Sequence, residues 1–176
     1  NTDGYGIQTA LKQDLGAELS AANIIVLGAG GASRAAVVQC LEAGCCKVWV
    51  GNRSEDRLQE LVRVVGGENS RLATFPLSEL PLDLPDSLVL INATSLGLKE
   101  DNPAPADLAL FPDCLKVYDM IYNPPETALL RDARKLGMPA ANGLSMLVHQ
   151  AARSLQYWTG AEVPVDAMFE VLQTRQ

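Results

Sequence analysis

The 176-residue sequence lacks features that define whole classes of protein. It has one histidine and four cysteines without a CxxC pair, which leaves no zinc-ligand set and predicts no metal. No apolar run approaches the roughly 20 residues needed to cross a bilayer, so no membrane partner is expected. The net charge of −7 argues against a nucleic-acid partner. A polyanionic ligand would therefore need a local positive site.

The cysteines also bear on the cellular setting. Four thiols without a disulfide framework, at positions 40, 45, 46 and 114, favour a reducing, cytoplasmic location. Adjacent Cys45 and Cys46 are interpreted as small residues at a helix–strand junction, with a redox role as the alternative.

Short apolar runs alternate with helical patterns along the whole chain. This rhythm predicts one α/β domain over residues 1–176, with a Rossmann-like, doubly wound parallel sheet of about six strands and helices on both faces. The proline-rich stretches Pro76–Pro85 and Pro103–Pro112 are predicted loops. The predicted strands are Asn23–Leu27, Lys47–Val50, Arg71–Phe75, Leu88–Asn92, Lys116–Met120 and Pro139–Ala141. The predicted helices are Gly31–Ala43, Ser54–Val65, Glu126–Leu136, Leu144–Trp158 and Val165–Thr174.

A glycine-rich loop, VLGAGGASRAA, joins the first strand to the next helix. One of its glycines, Gly28, Gly30 or Gly31, allows a tight turn, and another lets a pyrophosphate approach the backbone. The helix N-terminus supplies free N–H groups and a positive dipole end. Ser33, where a third small residue is expected, permits close helix packing and offers a hydroxyl to a phosphate. The loop predicts dinucleotide binding. The alternative is a glycine turn with a structural role only.

The end of the second strand indicates which dinucleotide. NAD-binding folds place a carboxylate there to hold the ribose 2′-hydroxyl, whereas this chain has Asn52-Arg53-Ser54, with Arg57 one helical turn later. A guanidinium pairs with a 2′-phosphate that a carboxylate would repel. We therefore expect NADP as the cofactor. The alternative is that Arg53 is only a solvated loop residue.

Several further motifs occur together. These are NTDG at residues 1–4, NRSEDR at 52–57, NATSLG at 92–97, YDMIYNPPETALLRDARKLG at 118–137 and NGLSMLVHQAARSLQYWTG at 142–160. In this order and spacing they resemble the nucleotide-binding half of shikimate dehydrogenases, over essentially the whole chain. Members of that family reversibly reduce 3-dehydroshikimate to shikimate with NADPH, in aromatic amino acid biosynthesis.

The resemblance implies roles for matching residues. Gly28, Ala29, Gly30, Gly31, Ala32 and Ser33 would hold the pyrophosphate, and Asn52, Arg53, Ser54 and Arg57 the 2′-phosphate. Thr94 and Ser95 would lie near the cofactor, and Met120 and Gly143 beside the nicotinamide. Asp3, Tyr122 and Gln150 would contact substrate hydroxyls, with Asp3 also in a catalytic role.

The residues alone leave other interpretations open. Asp3 is a favoured helix-cap residue, Tyr122 is consistent with a half-buried aromatic at a strand end, and Met120 is consistent with core. Gln150 would by default be solvated. His149 is interpreted as structural or exposed, and Lys99 as a surface charge.

The resemblance also bears on the chain's extent. In this family NTDG marks the junction between a substrate domain and the cofactor domain, and its aspartate holds a catalytic lysine carried upstream. We therefore expect a piece of a larger enzyme, inactive alone. A linker helix over residues 1–19 and C-terminal helices over 143–176 would return toward a missing N-terminal substrate domain. A homodimer is a further expectation.

Three alternatives remain at this point. A glutamyl-tRNA reductase-like cofactor domain also has a glycine loop, although the acidic charge disfavours tRNA. A quinate-active paralogue would share the same cofactor half. A catalytically silent NADP-binding module would use this domain alone.

Overall fold

The computed structural model describes residues 1–67, 69–81, 84–113 and 115–173. Within them, six parallel strands form one sheet in the order β3-β2-β1-β4-β5-β6. The strands are β1 (Asn23–Leu27), β2 (Lys47–Asn52), β3 (Leu72–Pro76), β4 (Val89–Asn92), β5 (Lys116–Asp119) and β6 (Ala140–Asn142). The helices are α1 (Asp3–Leu15), α2 (Gly31–Glu42), α3 (Glu55–Val64), α4 (Ala128–Lys135), α5 (Leu144–Thr159) and α6 (Val165–Gln173), with 3-10 turns at Leu19–Ala21 and Leu108–Leu110.

Alternating side chains of β1 feed two separate cores, one on each face of the sheet. Ile24 and Val26 pack with residues of α1, α2, α3 and α5, whereas Ile25 and Leu27 pack with residues of α4. Because both faces are covered, the strand is apolar throughout. The predicted Rossmann-like sheet with helices on both faces is confirmed.

Several elements end at residues other than the predicted ones; a helix cap ends the first helix, and strand pairing extends the second strand. The first helix, predicted over residues 1–19, ends at Leu15 because Gly16 takes up a left-handed conformation with φ +58°. Strand β2 runs on to Asn52, because Gly51 and Asn52 pair with Phe75 and Pro76 of β3. Cys114 and the predicted helix end at Thr174 lie outside the described residues.

Strands β1 and β4 lie side by side at the centre of the sheet. After β1 the chain adds β2 and β3 on one side, and after β4 it adds β5 and β6 on the other, so the strand order reverses between β1 and β4. In open α/β sheets, ligands bind beyond the carboxyl ends of the strands at such a point. The loops after β1, β4, β5 and β6 are therefore the place to look for a site. Helix α1, packed against α5 and α2, brings the start of the chain to the same region.

Candidate functional site

Gly28 makes the turn between β1 and α2. Its φ of +108° lies in a region that favours glycine, and its N–H donates to the Gly51 carbonyl at 2.8 Å. An added Cβ would lie 2.9 Å from the carbonyl oxygen of Ala93, in the loop after β4. The absence of a side chain at this position therefore lets the loops after β1 and β4 approach each other closely.

Beyond the turn, the backbone at Gly30, Gly31 and Ala32 is exposed. An added Cβ at Gly30 or Gly31 would meet no atom within 4 Å. Gly30 is the N-cap of α2 and has no side-chain hydrogen bond there. Because the first N–H groups of a helix have no partner within it, this backbone has the geometry and polarity that a pyrophosphate needs.

Ser33 differs from the expectation that its hydroxyl offers a bond to a phosphate. The residue is fully buried, and its hydroxyl donates to the Gly28 carbonyl at 2.6 Å. The side chain therefore closes the loop from within and faces away from the open space, which corrects the predicted phosphate contact.

The turn after β2 presents two cations. Asn52 Nδ2 donates to the Ser54 carbonyl at 3.0 Å, and Ser54 Oγ accepts from the Arg57 N–H at 3.4 Å, so these side chains shape the turn and cap α3. Arg53 and Arg57 are exposed, and within the described residues neither guanidinium has an ion-pair partner. Glu55 lines the same cavity as Arg53, of about 620 Å³, between α3 and β3.

The loop after β4 is held by its own side chains. The hydroxyl of Thr94 donates to Asn92 Oδ1 at 2.8 Å and accepts from the Leu96 N–H at 3.1 Å. Ser95, next in the chain, is exposed. Thr94 therefore lines the cavity beside it with its hydroxyl engaged in the turn.

Two adjoining cavities bring most of the remaining predicted residues together. They share three lining residues, Ala32, Met120 and Tyr122. The first, of about 320 Å³, is also lined by Ala93, Thr94, Leu98, Ile121 and Asn123. The second, of about 270 Å³, is also lined by Asp3, Gly143, Met146, Leu147 and Gln150.

The second cavity joins the start of the chain to the loops of the sheet. Thr2, and not Asp3, precedes α1 as its cap, so Asp3 stands in the first turn and lines the cavity instead. Gly143 is needed where α5 begins, because an added Cβ would overlap the Met120 carbonyl. Asp3, Tyr122 and Gln150 come from α1, the loop after β5 and α5, three segments distant in sequence.

Two polar clusters near these cavities, one buried and one partly buried, escaped the sequence analysis. Asp119, fully buried at the end of β5, accepts hydrogen bonds from Asn92 and Thr127. Burial raises the pKa of Asp119, and the bonds from Thr127, the Ile121 N–H and Asn92 oppose that rise. The only signal in the sequence was an acidic residue at the end of a short strand.

The second cluster joins α1 to α5. Ser145 Oγ donates to Asp14, and His149 Nε2 lies 2.8 Å from Gln13 Oε1. His149 is buried, and its ring meets Phe169 edge-on with centroids 5.7 Å apart. Burial lowers the pKa of His149, and the Asp14 carboxylate opposes this. The structural interpretation of His149 is confirmed, and Lys99 is exposed as expected.

Other classes of site find no support in the described part of the chain. No group of three histidine, cysteine or acidic side chains there is arranged to hold a metal ion. None of the helices described is both long and apolar enough to cross a membrane. Cys45 is buried and Cys46 exposed, both as free thiols.

The fold and the exposed glycine loop define the class of protein, a Rossmann-like α/β domain of the nucleotide-binding type. A family model described as shikimate / quinate 5-dehydrogenase matches residues 10–98, and one described as shikimate 5'-dehydrogenase C-terminal domain matches residues 143–173. The chain belongs to the shikimate/quinate dehydrogenase family. The predicted resemblance is thereby confirmed, and the glutamyl-tRNA reductase-like alternative is set aside.

Individual relatives agree with this assignment. The NADP(+) shikimate dehydrogenase of Methylobacterium radiotolerans is 42% identical over 163 residues, which cover 91% of this chain and 57% of the relative. Thermus thermophilus shikimate 5-dehydrogenase, solved with NADP(H) and shikimate, matches with a TM-score of 0.83 and 34% identity, over 100% of this chain and 63% of that one. Quinate dehydrogenase from Corynebacterium glutamicum, solved with NAD, matches with a TM-score of 0.84 and 27% identity, over 99% of this chain and 62% of that one. The chain therefore spans less than two thirds of the length of these proteins.

Proposed function

We propose that this chain is the NADP-binding half of a shikimate dehydrogenase. The observation that carries the proposal is the meeting of the two cavities at Ala32, next to the exposed backbone of Gly30 and Gly31. A dinucleotide with its pyrophosphate on that backbone can extend one end into these cavities. Its other end can reach the turn after β2, where Arg53 and Arg57 carry exposed positive charge.

The residues present fit this cofactor. Gly28–Ala32 hold the pyrophosphate, and Asn52, Arg53, Ser54 and Arg57 surround the 2′-phosphate. Thr94, Ser95, Met120 and Gly143 enclose the nicotinamide. This assignment extends what the relatives' names say, shikimate dehydrogenase (NADP(+)), to this chain. The nicotinamide supplies or accepts the hydride when it is bound.

The cavity lined by Asp3, Tyr122 and Gln150 holds part of the substrate. The Tyr122 hydroxyl and the Gln150 amide can each hydrogen-bond a ring hydroxyl, and the two come from different elements and so fix the ring orientation. No lysine lines this cavity among the described residues. We therefore assign the proton transfer that accompanies reduction of a ring carbonyl to a group from a further domain. In that arrangement Asp3 orients this group.

The preference for NADP(H) over NAD(H) tests the cofactor assignment. Each charge-assisted hydrogen bond to a phosphate contributes about 1.5–3 kcal/mol, so Arg53→Ala should weaken NADP binding roughly ten- to a hundredfold and leave NAD binding nearly unchanged. Arg63→Ala is the matched control, because Arg63 lines the same cavity but is paired with Glu60 at 2.8 Å. Equal affinity of the unmodified chain for NAD and NADP, measured by calorimetric titration, would refute the assignment.

The chain alone should bind cofactor without oxidising shikimate at a useful rate. Turnover should appear when a substrate domain from a relative is supplied as a separate polypeptide, and robust turnover without it would place the proton donor within this chain. The same assay with quinate distinguishes the second substrate candidate, which the similarity to quinate dehydrogenase favours. A silent NADP-binding module would show no turnover in either mixture. The cytoplasmic location and the homodimer stay predictions.

A further inference from the structure

Asp119 is a buried carboxylate that takes part in no step of the proposed reaction. It lies at the end of β5, is fully buried, and accepts three hydrogen bonds. The donors are Asn92 Nδ2 at 2.9 Å, the Ile121 N–H at 3.0 Å and Thr127 Oγ1 at 2.6 Å. A carboxylate in such a place is costly to bury unless its oxygens are satisfied, and core packing alone would be served better by an apolar side chain.

The three donors belong to three different segments of the site. Asn92 ends β4, Ile121 lies in the loop after β5, and Thr127 caps α4 by accepting from the Leu130 N–H at 3.3 Å. Through this one side chain, the loop after β5 is tied to the strand before it and the helix after it. Met120 and Tyr122, which line both cavities, flank the bonded Ile121.

Asn92 extends the network to the loop after β4. Its Oδ1 accepts from the N–H of Thr94 at 3.0 Å and from its hydroxyl at 2.8 Å, while its Nδ2 also donates to the Leu96 carbonyl at 3.2 Å. The loop then packs on Thr127, since an added Cβ at Gly97 would lie 3.0 Å from the Thr127 methyl group. Both walls of the first cavity are thus anchored to Asp119.

We propose that Asp119 is a positioning residue, which holds the loops after β4 and β5 at the separation that the nicotinamide requires. The inference rests on the proposed function, because it assumes that the nicotinamide occupies the cavity between Thr94 and Met120. Asp119 contacts neither cofactor nor substrate. It acts through Asn92, Thr127 and the Ile121 N–H.

The test separates the two ends of the cofactor. The probe 2′,5′-ADP carries the adenosine and the 2′-phosphate but no nicotinamide, so it reports on the Arg53 end alone, whereas NADPH reports on both. Asp119→Asn replaces one carboxylate oxygen by an amide NH₂ group, so one of the three hydrogen bonds that Asp119 accepts is lost. We expect 2′,5′-ADP affinity within about twofold of the unmodified chain, and NADPH affinity lower by roughly tenfold, as for one or two lost hydrogen bonds.

The reciprocal exchange provides a rescue. In Asn92→Asp combined with Asp119→Asn, one carboxylate and one amide again face each other, and the carboxylate now at position 92 can still accept from both Thr94 donors, although the bond from position 92 to the Leu96 carbonyl is lost and the amide at position 119 has one oxygen for the Ile121 and Thr127 donors. We expect the exchange to recover part of the lost NADPH affinity. Thr127→Ser, which keeps the hydroxyl, should bind both probes normally. Should Asp119→Asn fail to fold, Thr127→Val carries the same expectation for the two probes, because it removes the donor to Asp119, although it also removes the acceptor that caps α4 at the Leu130 N–H.

The outcomes are distinct. Selective loss of NADPH affinity with rescue supports the positioning role. Equal weakening of both probes, or normal binding of both, overturns it and leaves the cofactor assignment standing. If the unmodified chain binds neither probe, the proposed function fails and this inference fails with it.

Discussion

Gly28→Ala is expected to damage folding more than any other alanine substitution in the glycine loop. Its φ of +108° is strained for a residue with a side chain, at a cost of about 1–3 kcal/mol. The new Cβ would also lie 2.9 Å from the Ala93 carbonyl oxygen, a backbone atom that cannot turn aside. Ala93 is itself fixed by its N–H, which donates to the Leu27 carbonyl at 2.9 Å.

Strain and overlap together should lower the free energy of unfolding by about 3 kcal/mol. For a chain of this size, each kcal/mol moves the thermal midpoint by roughly 2–4 °C, so a fall of roughly 6–12 °C is expected. Gly31→Ala is the matched control, because an added Cβ there meets nothing within 4 Å and the residue lies within α2. Alanine in a helix should leave the midpoint unchanged or raise it slightly.

Thermal unfolding followed by far-UV circular dichroism, without cofactor, gives the comparison directly. Equal midpoints for Gly28→Ala and Gly31→Ala would refute the reasoning, because it would mean that neither the left-handed backbone nor the approach to Ala93 constrains this position. The comparison also tests whether the loops after β1 and β4 are as close in solution as the structure has them.

Three further outcomes follow from the same geometry. Gly30→Val should shift the thermal midpoint by only a few degrees, since the position is open. It should nevertheless weaken NADP binding at least tenfold, because the valine side chain would cover the backbone where the pyrophosphate would lie. Normal NADP binding by this variant in a titration would place the pyrophosphate elsewhere. Gly143→Ala should lower the free energy of unfolding by about 2 kcal/mol or more, because its Cβ would overlap the Met120 carbonyl; denaturant unfolding with a midpoint like that of the unmodified chain contradicts this. His149 has a pKa that burial lowers from 6.5, with Asp14, Arg153 and Glu162 nearby, so the unfolded chain binds its proton more readily. Stability should therefore be highest above pH 6.5 and fall as the pH drops below that value, and His149→Gln should show a shallower fall in denaturant unfolding.

Much of the fold was predictable because each buried strand is a short apolar run between turn residues. The end of β2 was misjudged because Gly51 and Asn52 have turn propensities, and only the neighbouring strand reveals that they pair with Phe75 and Pro76. Glycine there is also required by packing, since an added Cβ would lie 2.5 Å from the Phe75 ring. Requirements of this kind, which the neighbouring strand imposes, leave no local pattern in the sequence.

The candidate site was predictable where backbone geometry sets the residue type. The glycines of the loop and the arginines after β2 have few substitutes, so the residue type itself carries the signal. Ser33 shows the limit, because a hydroxyl at that position is equally able to face a phosphate or the loop, and the structure turns it onto the Gly28 carbonyl. Asp119 and Asn92 meet across 27 positions of sequence, a contact that only the parallel pairing of β4 and β5 creates.

The two groups of residues should therefore respond differently to substitution. Exposed groups such as Arg53 and the backbone of Gly30 have no role in packing, so changes there should alter affinity with little effect on stability. Buried polar groups such as Asp119 hold loops in place, so changes there should alter the shape of the cavities and with it the balance between the two ends of the cofactor. A Rossmann-like sheet permits this division because the strands end together at one edge, where loops of distant sequence become neighbours. Affinity is then set by what those loops expose, and geometry by the polar network buried beneath them.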